Sequence, residues 1–246
     1  LDQLQFKLSE FLASRGFSEI ITNSLTSSNY SEKSDFLDPQ FNVEIYNRLS
    51  EDLDVMRQTL LFTGLEVLAH NINRRQTNLK FFEFGTTYRK SEKGYSETSR
   101  LSIFLSGNKS QESWLGESKP FAFTDIYATV TDALGKLGIT PSTVDVIESS
   151  PFDYGLILKL GEKELGRFGL LDRQSLKQTG VRQDVWFAEL DWQLIGDKSK
   201  GLKKYEAISK FPEVRRDLSL VIDKSVSYPE VEAIAKKSGG RLLKRI

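Results

Sequence analysis

Phe82, Phe84 and Thr86 alternate with Glu83, Gly85 and Thr87, and after a polar stretch from Arg89 to Glu97 the chain returns as Leu101-Ser102-Ile103-Phe104-Leu105. Period-two alternation marks a half-buried strand, and two such runs about a polar turn predict a long antiparallel hairpin. That pairing constrains the rest, because a chain carrying it does not alternate strand and helix regularly enough for a doubly wound parallel fold. The remaining pattern agrees. Leu1, Leu4, Leu8, Phe11 and Leu12 fall on one helical face that stops at Gly16, where glycine takes a left-handed conformation without steric cost. Glu19 to Leu25 reads as a strand, residues 27 to 41 as an irregular excursion, and Asn42 to Tyr46 as a short strand.

Leu61, Leu65, Leu68 and Ile72 mark a second helix near residues 55 to 74, and Phe123, Ile126, Val130, Leu134 and Leu137 a third that ends at Gly138. Tyr154 to Leu160 and Leu165 to Leu171 are strands about the turn Gly161-Glu162-Lys163, and Val185 to Leu190 is another. Asp172 is placed to cap a short helix stopped by Gly180. The expected fold class is therefore α+β: a mostly antiparallel sheet flanked by helices. Residues 196 to 204 have the composition of a linker, which sets domains at 1–197 and 205–246 with 198–204 between them. Beyond it, Arg216 to Asp223 reads as a strand, Tyr228 to Lys237 as a helix, and Gly239-Gly240 as a turn into a truncated strand. That β-α-β start suits half of a ferredoxin-like domain.

Composition removes several chemistries. The 246 residues include no cysteine and a single histidine, His70, so disulfides, thiolate sites and a His-rich zinc site are excluded. No apolar run reaches the ~20 residues of a membrane helix, no signal-peptide pattern opens the chain, and a cytoplasmic location is expected. The chain starts at Leu1, and Leu242 to Ile246 carry no stop signal, so a piece of a longer polypeptide is expected. The formal charge is zero, yet residues 198 to 246 hold 13 Lys and Arg against 6 Asp and Glu, a net +7 that leaves −7 for the rest. A basic end on an acidic body suits a polyanionic partner, and equally a solvated lysine-rich surface. No glycine-rich phosphate loop is present, and His70 stands in no nucleophile motif. Glu83, Glu189 and Asp191 lie on strands as acid–base or metal carboxylates, or as structural ones. Residues alone yield no active site.

One stretch is specific: Leu49-Ser50-Glu51-Asp52-Leu53-Asp54-Val55-Met56-Arg57-Gln58-Thr59-Leu60-Leu61, continued by Gly64-Leu65-Glu66-Val67-Leu68-Ala69-His70-Asn71-Ile72-Asn73-Arg74. With Lys80-Phe81-Phe82-Glu83-Phe84-Gly85, Gly166-Arg167-Phe168-Gly169-Leu170-Leu171 and Lys210-Phe211-Pro212-Glu213-Val214-Arg215-Arg216-Asp217-Leu218-Ser219 in that order, it resembles the β subunit of bacterial phenylalanyl-tRNA synthetase. The likeness covers the synthetase-like core and the entry to an anticodon-binding domain of ferredoxin fold. It departs at Phe62-Thr63, where the family has Leu-Pro, and is loose over residues 151 to 160.

The resemblance implies a class II synthetase fold. Catalytic members hold ATP phosphates with an arginine in each of two motifs, because fixed guanidinium groups stabilise the charge that develops on phosphate oxygens. Here Tyr88-Arg89-Lys90-Ser91 resembles a worn second motif without its glutamate. Phe187-Ala188-Glu189-Leu190-Asp191-Trp192-Gln193-Leu194 stands where a glycine-rich strand ending in Glu-Arg belongs. A degenerate, inactive copy follows, with no cofactor or metal of its own. ATP and magnesium are expected for the whole enzyme, and any editing activity or metal site of the longer subunit would lie outside these residues. The family implies packing on a catalytic α subunit in an (αβ)₂ heterotetramer that joins phenylalanine to its tRNA. Arg57, His70, Asn71, Asn73 and Arg74 become candidates for partner contact, against simple burial in their own domain. Lys203, Lys204, Lys210, Arg215 and Arg216 become candidates for tRNA phosphate, against a solvated surface. The rivals are an active adenylating ligase with an unfamiliar ATP site, and a free-standing nucleic-acid-binding module.

Overall fold

The alternating stretch forms two 13-residue strands that pair from Leu79↔Ser106 to Ser91↔Gly94. The polar segment from Arg89 to Glu97, expected as a turn, instead lengthens the ladder, and only two residues remain between Ser91 and Gly94. Ladder hydrogen bonds need no apolar face, so the ribbon runs on into solvent after its core side chains end. The computed structural model describes residues 2–47, 50, 52–92, 94–111, 113–114, 116–141, 143–199, 211–224, 226 and 228–244.

In chain order the elements are α1 (Asp2–Ser14), β1 (Ser18–Glu19), β2 (Leu25–Thr26), α2 (Asn29–Glu32), β3 (Val43–Glu44), β4 (Val55–Met56), α3 (Leu61–Ile72), β5 (Leu79–Ser91) and β6 (Gly94–Ser106). There follow α4 (Phe123–Lys136), β7 (Thr143–Ile147), β8 (Phe152–Leu160), β9 (Lys163–Leu171), α5 (Arg173–Thr179), β10 (Val185–Asp191), α6 (Trp192–Lys198) and α7 (Tyr228–Gly239). A seven-stranded sheet has the order β1-β5-β6-β10-β9-β8-β7, antiparallel except for β1 beside β5. A small second sheet has the order β2-β4-β3.

Alternation sends successive side chains to opposite faces. Phe82, Leu101, Ile103, Ala188, Leu190 and Phe168 meet Leu8 and Leu12 of α1, Ile126 and Val130 of α4, and Ile195 of α6. Phe81, Phe104 and Phe187 meet Leu61, Leu65 and Leu68 of α3 and Leu176 of α5 on the other face. Gly64 lets α3 lie this close, because a Cβ there would strike the Phe104 ring.

The differences from the sequence reading have physical causes. The strand expected from Glu19 to Leu25 leaves the sheet after the Ile20 amide bonds the Phe82 carbonyl, because the Thr22 amide bonds the Glu83 carboxylate instead. The helix expected near residue 55 starts at Leu61, since Val55 and Met56 are paired in β4. The strand at 42–46 contracts to Val43–Glu44, and the excursion contains α2 and a 3₁₀ turn at Pro39–Phe41. Edge strand β7 went unread; so did α6, whose first turn is capped by Asp191.

The chain divides into two compact units, Leu1–Lys204 and Tyr205–Ile246. In the second, the expected helix is present as α7, but residues 211–223 form no strand and Gly240–Leu242 is a 3₁₀ turn. A strand exists only through a ladder partner; none is present there among the described residues, and Leu218 and Val221 are exposed. No helix among the described residues is long and apolar enough to cross a membrane.

Candidate functional site

Strand register lines up the conspicuous polar residues. Glu83 of β5 and Glu189 of β10 both stand opposite Ser102 of β6, and Glu189 stands opposite Arg167 of β9. One step along the same face, Gly85, Arg100 and Asp191 form the next row. One step back lie Phe81, Phe104 and Phe187. This is the face that α3 covers, and Arg57 reaches it from the segment between β4 and α3.

Glu83 is almost wholly buried and its charge is met in full. Arg57 donates from Nη1 to Glu83 Oε1 at 3.0 Å and from Nε to the Thr86 carbonyl at 3.0 Å. The Thr22 amide and hydroxyl donate to the same carboxylate at 3.1 and 2.9 Å. The guanidinium lies over Gly85, where a Cβ would collide with it. Removing a carboxylate from water is tolerated only with such a counter-charge and hydrogen bonds. Arg57, a candidate for partner contact, is therefore corrected to an interior residue: its side chain is 3% exposed.

Glu189 serves the start of α3. The helix is preceded by Leu60, which has no side chain able to cap. Glu189 reaches across the sheet, and its Oε1 accepts from the Leu60 amide at 2.8 Å and the Thr59 hydroxyl at 2.9 Å. A carboxylate at a helix N-terminus also meets the positive end of the helix dipole. Asp191 does the same for α6, accepting from the Leu194 amide at 2.8 Å, and lies 3.6 Å from Arg100 Nη1. Arg167 is paired to Glu164, and that bond, with the nearby charge of Glu189, raises its already high pKa. Between the two glutamates, Ser102 Oγ and the neighbouring Arg100 Nε are buried with no hydrogen-bond partner.

This face does not fit a nucleoside triphosphate and its magnesium. Carboxylates occupy the row where phosphates need cations, and Arg57 is engaged by one of them. Aromatic rings fill the floor beside it, Phe104 and Phe187 with centroids 4.9 Å apart. Arg89, the arginine of the worn second motif, lies four residues beyond Gly85, ~13 Å along the strand. There β5 pairs with β6 past the end of β10, and Arg89 sits over the Phe41 ring at 4.4 Å. It does not converge with Glu189 and Asp191. Among the described residues no group of three or more His, Asp or Glu is placed to hold a metal ion.

The other candidates gather at the far end of α3. His70, Asn73 and Arg74 are exposed, and Arg74 Nη1 donates to the His70 carbonyl at 3.1 Å, a cation on the helix C-terminus. Asn71 is half-buried and donates to the Val67 carbonyl at 2.8 Å. Arg57 lies at the opposite end, ~18 Å away for a helix of this length. Lys203, Lys204 and Lys210 fall outside the described residues. Arg215 and Arg216 are exposed, with Asp217 3.5 Å from Arg215 Nε.

Sequence reading missed Thr22, Thr59 and Tyr30. Thr59 precedes α3 in the manner of a capping residue, a signal hidden by starting the helix too early. Tyr30 stacks on Phe62 with centroids 4.4 Å apart and donates to Glu66 at 2.6 Å. Burial, then the Glu66 carboxylate, hold its phenol protonated well above the ordinary tyrosine range.

Residues 1–192 match the family model of the phenylalanyl tRNA synthetase beta chain CLM domain. The chain belongs to the phenylalanyl-tRNA synthetase β-chain family. Phenylalanine–tRNA ligase beta subunits of Porphyromonas gingivalis and Bacteroides fragilis are 35% and 36% identical to it over 98% and 100% of its length. That of Thermotoga maritima is 27% identical over 98%. The chain spans about a third of the length of these β subunits, 31%, 32% and 30% respectively. In fold it is similar to pyrrolysyl-tRNA synthetase from Desulfitobacterium hafniense, with a TM-score of 0.60 at 16% identity over 78% of this chain and 67% of that one. The family and the class II fold expected from the sequence are thereby borne out.

Proposed function

We propose that this chain is a non-catalytic synthetase-like part of a phenylalanyl-tRNA synthetase β subunit. It packs on the catalytic α subunit of an (αβ)₂ enzyme in the cytoplasm and supports attachment of phenylalanine to its tRNA. The observation that carries this reading is the row Glu83, Ser102, Glu189 beneath α3. Its carboxylates hold Arg57 and the α3 N-terminus in place, where an active site would need free cations for ATP. ATP and magnesium are then handled by the α subunit, and nothing in this row takes part in phosphoryl chemistry.

The exposed end of α3, His70, Asn73 and Arg74, is the part of the candidate partner surface free to meet the α subunit. Arg57 contributes only by fixing the other end of that helix. Arg215 and Arg216 are the described members of the basic group assigned to tRNA, together with Lys203, Lys204 and Lys210. The domain division at 198–204 belongs to this same reading.

The test is ATP–pyrophosphate exchange on the purified chain, with phenylalanine and then with mixed amino acids. No exchange is expected from a folded sample, followed by co-purification with the α subunit. Clear exchange would mean an active adenylating ligase and would overturn the proposal.

A further inference from the structure

A cleft of about 530 Å³ opens on the first unit, at the start of β5 and outside the carboxylate row. Its walls are β1, the start of β5, the turn after α3, and the loop that follows β6. Arg75, Lys80 and Lys109 line it beside the amides of Asn78 and Asn108, and among the described residues no Asp or Glu lines it. In a unit whose residues 1 to 197 carry a net −7, a cleft whose described lining holds three cations, one of them paired to Asp125 outside the lining, and no carboxylate is an electrostatic exception. Its volume is that of a small-ligand site. We propose that it binds a phosphate-bearing ligand, held by Arg75, Lys80 and Lys109. This does not rest on the role proposed above.

Arg75 has φ +66°, a left-handed conformation that helix ends normally give to glycine or asparagine. Backbone strain at a non-glycine residue clusters at functional sites. Arg75 makes no ion pair among the described residues. Lys80 Nζ donates to the Arg15 carbonyl at 3.2 Å, which leaves further donors on its ammonium group. Lys109 is bound to Asp125 at 2.8 Å and is the least available of the three. The negative end of the α3 dipole points this way, but amides of Asn73, Arg74, Arg75 and Gln76 already bond the carbonyls of Ala69, Asn71 and Ile72. Fork-shaped guanidinium and ammonium donors beside neutral amides suit phosphate oxygens.

Binding of inorganic pyrophosphate to the whole chain would be measured by calorimetry at two salt concentrations, with AMP and a short RNA duplex as competitors. The expected result is saturable binding that weakens with salt. Arg75→Gly should reduce it about tenfold or more, in a backbone conformation that glycine adopts freely. Lys80→Gln should do the same and serves if the first variant is poorly folded, while Lys177→Gln on α5 should leave binding unchanged. Competition by RNA would support a seat for strand phosphates, and competition by AMP alone a seat for a small phosphate ligand. Absence of pyrophosphate binding, or equal weakening by all three variants, would overturn the proposal.

Discussion

Arg57 and Glu83 are 26 residues apart and meet at 3.0 Å inside the protein. The sequence shows each of them, one in the family stretch and one on a strand, but a pairing over that distance depends on where the small β2-β4-β3 sheet sets the chain down. Arg57 therefore reads as a surface candidate until the fold buries it. The chemistry then dictates the mutational response. Arg57→Met leaves a buried carboxylate without its cation and should lower stability by about 3–5 kcal/mol in urea denaturation. Arg57→Met combined with Glu83→Met should recover most of that loss, because the uncompensated charge goes with it. A double variant as unstable as the single would show that the packing of Arg57 over Gly85, and not charge, dominates.

Element boundaries moved for one recurring reason, which is that a side chain from elsewhere intercepts the local signal. The first strand ends where Glu83 captures the Thr22 amide, and α3 begins where Glu189 captures the Leu60 amide. Helix existence was legible from its apolar spacing, whereas a cap borrowed from a residue 129 positions away was not. Glu189→Ala should cost about 1–2 kcal/mol, the loss of a charged helix cap and two hydrogen bonds. Glu189→Gln, which keeps an acceptor oxygen, should cost less than half of that. Both are read from denaturation midpoints, with Asp184→Ala on the exposed surface as the control.

Over the molecule as a whole, the two units differ in how they hold themselves together. The first carries two apolar clusters, one on each face of the seven-stranded sheet. Truncation after Lys204 should therefore leave a chain that unfolds cooperatively, with a Tm within a few degrees of the full chain by calorimetry. A broad, non-cooperative transition would show that residues 205–246 complete the core.

What the residues settled alone was everything that depends on periodicity or on chemistry they lack. The central hairpin, the helices on Leu61–Ile72 and Phe123–Lys136, the α+β class and the absence of thiol chemistry all follow from spacing and composition. Only the tertiary structure decided which carboxylates became caps and counter-charges, and that Arg57 belongs to the interior. It alone gathered Arg75, Lys80 and Lys109 into one cleft. Those outcomes depend on strand register and on which elements share a face, and a local sequence window contains neither.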